Sequence, residues 1–240
     1  NRGNKFNALS RELMTAVQTE LDAIAEDSSV RVVVIAGAGK AFCAGHDLTE
    51  MRADPSPEAM AVFFQQCSRM MMTLTEIPQP VIARVHGMAT AAGCQLVAQC
   101  DLAVTVDDAT FATSGINVGL FCSTPMVAVT RNLPRKQAME MLLTGDRVKA
   151  EQAERWGLIN KAVDDDKLDQ TIADITAKLV TKSPLTLAIG KEAFYAQIDM
   201  DVEAAYAYAS QTMTRNMLAR DAEEGIDAFL EKRQPTWQGR

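Results

Sequence analysis

The sequence predicts an α/β protein with a helical C-terminal region. Three observations predict it. Two modules, "VRVVVIAGAGKAFCAGHD" and "VIARVHGMATAAGCQLVAQ", each run from an apolar strand through a glycine-rich bend towards a helix. Apolar residues at helical spacing flank these modules. From Pro184 onward the pattern is helical alone. The expected organisation is a core over 1–183 and a helical region over 184–240.

Each element has a local reason. In "LSRELMTAVQTELDAIAED", Leu13, Val17, Leu21 and Ile24 form one helical stripe, and Ser10 is placed to cap it. Val32 to Ile35 is a continuous β-branched run ending at Gly37, as expected of a strand buried on both faces. "GAGKAFCAGHDLTEM" reads as a glycine-rich loop leading to a helix or turn, and "DPSP" at 54–57 as a surface break. "EAMAVFFQQCSRMMMTLTEI" is helical and stops at Pro78 and Pro80. "VIARVHG" repeats the strand and glycine, with a helix expected over Gly93–Gln99. "DLAVTVDDATFAT" reads as two short strands about Asp107 and Asp108. "PRKQAMEMLLTG" and "KAEQAERWG" end on Gly145 and Gly157, good left-handed helix stops. "LINKAV" is a short strand, and "KLDQTIADITAKLVTKSP" and "LTLAIGKEAFYAQI" are helices. The last helices are expected over Val202–Arg220 and Ala222–Lys232.

Composition narrows the function. The net charge of −7 argues against general nucleic-acid binding, which needs a basic surface. The five cysteines contain no CxxC pair and suit free thiols; with only His46 and His86 as histidines, no metal site is expected. No apolar run approaches the ~20 residues of a membrane helix. "VVVIAGAGKAF" sits where a nucleotide-binding turn would sit. It fails G-x-G-x-x-G at Phe42, and it fails the P-loop at Val34 and Ala41.

Two bends survive: Ala44-Gly45-His46-Asp47 and Ala91-Ala92-Gly93. Small residues let backbone approach a ligand closely, and a helix start leaves N–H groups unpaired. Facing one point, such bends would make an oxyanion hole for a thioester enolate; two packing turns are the plainer alternative.

"KFNALS", "GKAFCAGHDL", "HGMATAAGCQLVAQCDLAV", "FATSGINVGLF", "LLTGDRVKAEQAERWGLINKAV" and "FLEKRQPTW" occur in that order. In these the chain resembles the crotonase superfamily, the enoyl-CoA hydratases and isomerases, over nearly its whole length. The resemblance implies a crotonase-like spiral of ββα units and a C-terminal helical trimerisation region. It also implies an acyl-CoA thioester ligand with no further cofactor, and trimers or dimers of trimers. Neither nucleic acid nor a membrane is an expected partner. The family's first strand is expected upstream of Asn1, where the chain opens without a methionine. The expected location is cytoplasmic in a bacterium, or the mitochondrial matrix in a eukaryote.

By the same resemblance the oxyanion N–H groups fall on His46 and Ala92. Lys5, Ala44, Asp47, Leu48 and Gly93 fall at substrate- or CoA-binding positions, with Asp47 supporting its loop. Lys232, with Arg233, aligns with a basic pair that reaches the CoA of a neighbouring subunit. Cys122, Ser123 and Thr124 fall at a small-residue helix start facing the acyl group. For each cation, a solvated surface charge is the alternative.

The pattern departs from the family where chemistry matters most. Its two catalytic glutamates align with Gln95 and Gly115. An acid or base group is typically worth ~10²–10⁴ in rate, so losing both could remove about 5–11 kcal/mol of transition-state stabilisation. Gln95 can orient water but cannot take its proton. Cys94 at a helix start is either a thiolate or, more in keeping with cysteine generally, a buried thiol. The leading expectation is an acyl-CoA enzyme with weak or altered hydratase activity. Decarboxylation, thioester hydrolysis and non-catalytic acyl-CoA binding are the alternatives. Glutamate at both positions is expected to restore hydration.

Overall fold

A computed structural model describes residues 1–240. A short 3-10 turn at Gly3–Lys5 leads to α1 (Arg11–Glu26), capped by the Ser10 hydroxyl, which accepts from the Leu13 N–H at 3.1 Å. Strands β1 (Val33–Ala36) and β2 (Ala41–Cys43) follow, then α2 (Leu48–Ala53) and α3 (Pro57–Glu76). The second unit is β3 (Val81–Val85), β4 (Met88–Thr90) and α4 (Ala92–Gln99). The third is β5 (Leu102–Val106), β6 (Thr110–Ala112), α5 (Ser123–Asn132) and α6 (Arg135–Thr144). Then come β7 (Val148–Lys149), α7 (Ala150–Trp156), β8 (Lys161–Val163) and α8 (Leu168–Val180). The chain ends in α9 (Pro184–Gln197), α10 (Val202–Met217) and α11 (Arg220–Leu230).

The repeat builds two sheets. The first strand of each unit joins one sheet, ordered β1-β3-β5-β8, and the second joins another, ordered β2-β4-β6-β7. All pairings are parallel except β6 with β7. This is the spiral of ββα units. A core including Phe63, Met70, Ile82, Val97 and Phe111 fills the space between sheets and helices.

Several expectations need correction. The run before Gly37 is an edge strand shifted by one residue, with Val34 40% exposed, because β1 has a neighbour on one side only. The glycine-rich loop contains β2, and the small-residue segment before α4 contains β4. Both are three-residue strands, too short to show a period of two. The α4 helix starts one residue early, at Ala92, and α10 and α11 stop short of Arg220 and Lys232.

The helical region is pinned to the core by charge. Lys191 on α9 pairs with Asp101 at 2.7 Å and donates to the Leu74 and Gln79 carbonyls. Asp101 also accepts from Tyr195 and from the Val81 N–H. Burial pushes the Lys191 pKa down although Asp101 opposes the shift. Lys191→Met should therefore cost about 3 kcal/mol or more in urea unfolding, because Asp101 keeps its burial and loses its counter-charge. A change below ~1 kcal/mol would mean that the pair is as weak as an exposed one.

Candidate active site

The two bends are built against each other. Leu9 forms a parallel bridge with His46. Its N–H donates to the Gly45 carbonyl at 2.8 Å, and its carbonyl accepts from the Asp47 N–H at 3.1 Å. That pattern spends the groups on either side of His46 and turns the His46 N–H away from Leu9, with no acceptor in the chain. At the other bend, Ala91 takes φ 50°, unusual for a residue with a Cβ, and its N–H donates to the Ala112 carbonyl. Ala92 begins α4, so its N–H has no intrahelical acceptor.

The Thr90 hydroxyl ties the bends together by donating to the Ala44 carbonyl at 3.1 Å. Gly45, at φ 94°, makes the approach possible: a Cβ there would lie 2.8 Å from the Ala91 Cβ and 3.2 Å from the Ala92 nitrogen.

His46 and Ala92 both line a cavity of about 550 Å³. Of the predicted residues, Ala44, Leu48, Gly115, Cys122, Ser123 and Thr124 line it with them. A second cleft, bounded by Lys5 and Asp47, shares His46 and Leu48 with the first. Lys5 thus borders a cleft that adjoins the cavity at His46 and Leu48. Asp47 holds its loop: it caps α2 and pairs with Arg2 at 2.9 Å, which keeps its carboxyl below the usual range.

Other predicted residues lie elsewhere. Gln95 lines neither cleft. It sits one helical turn beyond Ala92 on a helix buried almost all round. Its side chain is buried and its amide oxygen has no partner. Gly93 is a packing residue, not a cavity wall: a Cβ there would meet the Cys43 carbonyl oxygen at 2.1 Å. Lys232 makes no ion pair and lies at neither cleft of this chain. Arg233 is bound to Glu224 and Glu231 at 2.6 Å each, so it is not a free cation. Cys94 is a buried thiol whose pKa burial pushes up to about 12, which excludes a resting thiolate.

No carboxylate lines the cavity; its titratable side chains are His46 and Cys122. Burial raises the Cys122 pKa and lowers that of His46 to about 4. The imidazole packs edge-on to Phe63 and Phe64, with ring centroids 5.1 and 5.6 Å away, and its Nε2 has no partner. The folded pKa lies below the unfolded one, so the unfolded chain takes up the proton first. Stability is therefore full above pH 6.5 and falls as pH drops towards about 4. The loss attributable to this ring should be about 3 kcal/mol. His46→Leu should flatten that part of the pH–stability curve; an unchanged slope would assign it to other groups.

The sequence reading missed the apolar walls: Met51 from α2, Phe64 from α3, and Val118, Leu120 and Phe121 between β6 and α5. The last three had a signal, an apolar "NVGLF" run with no strand period. Each is at least 40% exposed.

The sequence matches the enoyl-CoA hydratase/isomerase family model over residues 1–240. The chain belongs to this family. Rat enoyl-CoA hydratase domain-containing protein 3, mitochondrial, is 44% identical over 96% of the chain and 77% of the relative. The 2,3-dehydroadipyl-CoA hydratase of Escherichia coli is 32% identical over 100% of the chain and 93% of the relative. A crystal structure of an enoyl-CoA hydratase from Mycobacterium smegmatis superimposes with a TM-score of 0.97 at 55% identity, covering 99% of this chain and 92% of that one. The fold is thus that of the crotonase-type hydratases, and the family is one of hydratase/isomerase-type enzymes.

Proposed function

We propose that this protein binds acyl-CoA thioesters and stabilises the thioester enolate through the His46 and Ala92 N–H groups. The observation that carries the reading is the pair of backbone donors at the cavity wall, held by Gly45 and by the Thr90–Ala44 hydrogen bond. Such donors act on the charge that develops on the thioester oxygen, where they are worth most. The CoA headgroup would lie along the outer cleft by Lys5, with Lys232 serving a neighbouring subunit. No cofactor beyond the substrate is called for.

Proton transfer is the altered part. With Gly115 bare and Gln95 off the cavity, the remaining carriers are the His46 imidazole, the Cys122 thiol and water. The open Gln95 amide oxygen suits a bound water or hydroxyl donor, which it would hold without deprotonating. Thioester hydrolysis, which passes through a tetrahedral oxyanion and does not require two carboxylates, fits this set better than efficient hydration. It also fits better than decarboxylation, whose substrate carries a carboxylate that no cation in the cavity would hold. Non-catalytic acyl-CoA binding is favoured by the same bare cavity.

Association into trimers or dimers of trimers would cover the apolar side chains of α10, α11 and the turn between them, among them Val202, Leu218 and Phe229 at 74, 82 and 82% exposure. A mitochondrial location is supported by the rat relative's name, and a cytoplasmic one by the bacterial relatives.

Calorimetry with CoA and acetyl-CoA at several salt concentrations tests the reading. Binding that weakens with salt, and weakens severalfold in Lys5→Gln, is expected. No binding at millimolar ligand would end the acyl-CoA assignment.

A further inference from the structure

We infer that the cavity selects thioesters whose acyl group is uncharged and apolar beyond the carbonyl, and rejects acyl groups that end in a carboxylate. The inference rests on the acyl-CoA reading above and specifies the substrate class of that site. The walls that an acyl chain would meet are Leu48, Met51, Phe64, Val118, Leu120 and Phe121, with no lysine or arginine among the lining residues. Apolar surface of this kind is covered favourably by a hydrocarbon chain and gives nothing to an anion.

Two features could have held a terminal carboxylate, and neither is equipped for it. The first is His46, the one lining side chain able to carry positive charge. Its ring is packed against two phenylalanines and is neutral at physiological pH. The second is the start of α5, since helix N-termini attract anions. Here the Ser123 N–H is already given to the Phe121 carbonyl at 2.7 Å, and Pro125 has no N–H. Only the Thr124 N–H is left in that first turn, and the Ser123 hydroxyl also donates to the Phe121 carbonyl, at 3.3 Å. A carboxylate pushed among these walls would give up water and gain neutral donors alone, the Thr124 N–H and the Ser114 and Thr124 hydroxyls, with no cation to balance its charge.

The experiment compares CoA, hexanoyl-CoA and adipyl-CoA by calorimetry on the full chain. The two thioesters share chain length and differ in the terminal carboxylate. Hexanoyl-CoA should bind on the order of 100-fold more tightly than adipyl-CoA, and adipyl-CoA no more tightly than CoA. Leu120→Arg, at a half-exposed position where a long side chain is tolerated, should narrow the gap by about tenfold or more by supplying the missing cation. If CoA binds and the two thioesters fall within about threefold of each other, the selectivity is overturned while the acyl-CoA reading stands. If CoA and both thioesters fail to bind, the acyl-CoA reading falls and takes this inference with it.

Discussion

Gly93→Ala should leave little folded protein. A Cβ at residue 93 would lie 2.1 Å from the Cys43 carbonyl oxygen and 2.7 Å from its carbon, both backbone atoms of β2. Backbone in a paired strand cannot swing aside like a side-chain tip, so α4 would have to lift off the sheet. Overpacking typically costs 1–3 kcal/mol, and a backbone clash this close should exceed ~3 kcal/mol, a large share of a domain's stability. Gly190→Ala is the matched control: it lies on α9 with no atom within 4 Å of the added carbon. It should be neutral, or stabilising by about 0.5–1 kcal/mol through the unfolded chain and helix propensity. Urea unfolding of both variants checks this. Equal stability of the two would mean that α4 is not locked against β2, and the placement of the Ala92 N–H would lose its basis.

Hydration of crotonyl-CoA should run at least ~10⁴-fold below the rate of an efficient enzyme. Water addition needs a base at one carbon and an acid at the other, and the cavity holds no carboxylate. The structure also changes what is expected of restoring glutamates. A Cβ at Gly115 would meet the Leu120 carbonyl oxygen at 2.5 Å and the Cys122 sulfur at 2.9 Å. Gly115→Glu therefore requires the 119–122 loop to move. Gln95→Glu would put a carboxylate at a buried position whose amide oxygen already lacks a partner. Neither single variant should regain more than a small fraction of the missing rate, and the double variant should be limited by the loop. Steady-state kcat/KM for the four proteins, with folding checked, decides it. Efficient hydration by the wild type would mean that His46 or Cys122 carries the protons after all.

Much of the fold was legible because its long elements have strong periods: the stripe of α1, the proline stop after α3, and the glycine stops at 145 and 157. The second sheet was not, because three-residue strands such as β2 and β4 look like loops. At the site, the small-residue bends at Gly45 and Ala91–Ala92 were legible from residue type. The depth of Gln95 was not: helical spacing gives the turn but not which face of an all-buried helix meets a cavity. Nor was the engagement of Arg233, whose partner Glu224 lies on the preceding helix and is distant from any motif.

The central claim is that backbone donors polarise a bound thioester in a site without carboxylates. Isotope-edited infrared spectroscopy of crotonyl-CoA labelled at the thioester carbonyl reads both halves at once. The account predicts a carbonyl stretch lowered on binding, with no hydroxyacyl thioester forming over many minutes. A bound ligand with an unshifted carbonyl, or one converted rapidly to the hydroxyacyl thioester, would contradict it.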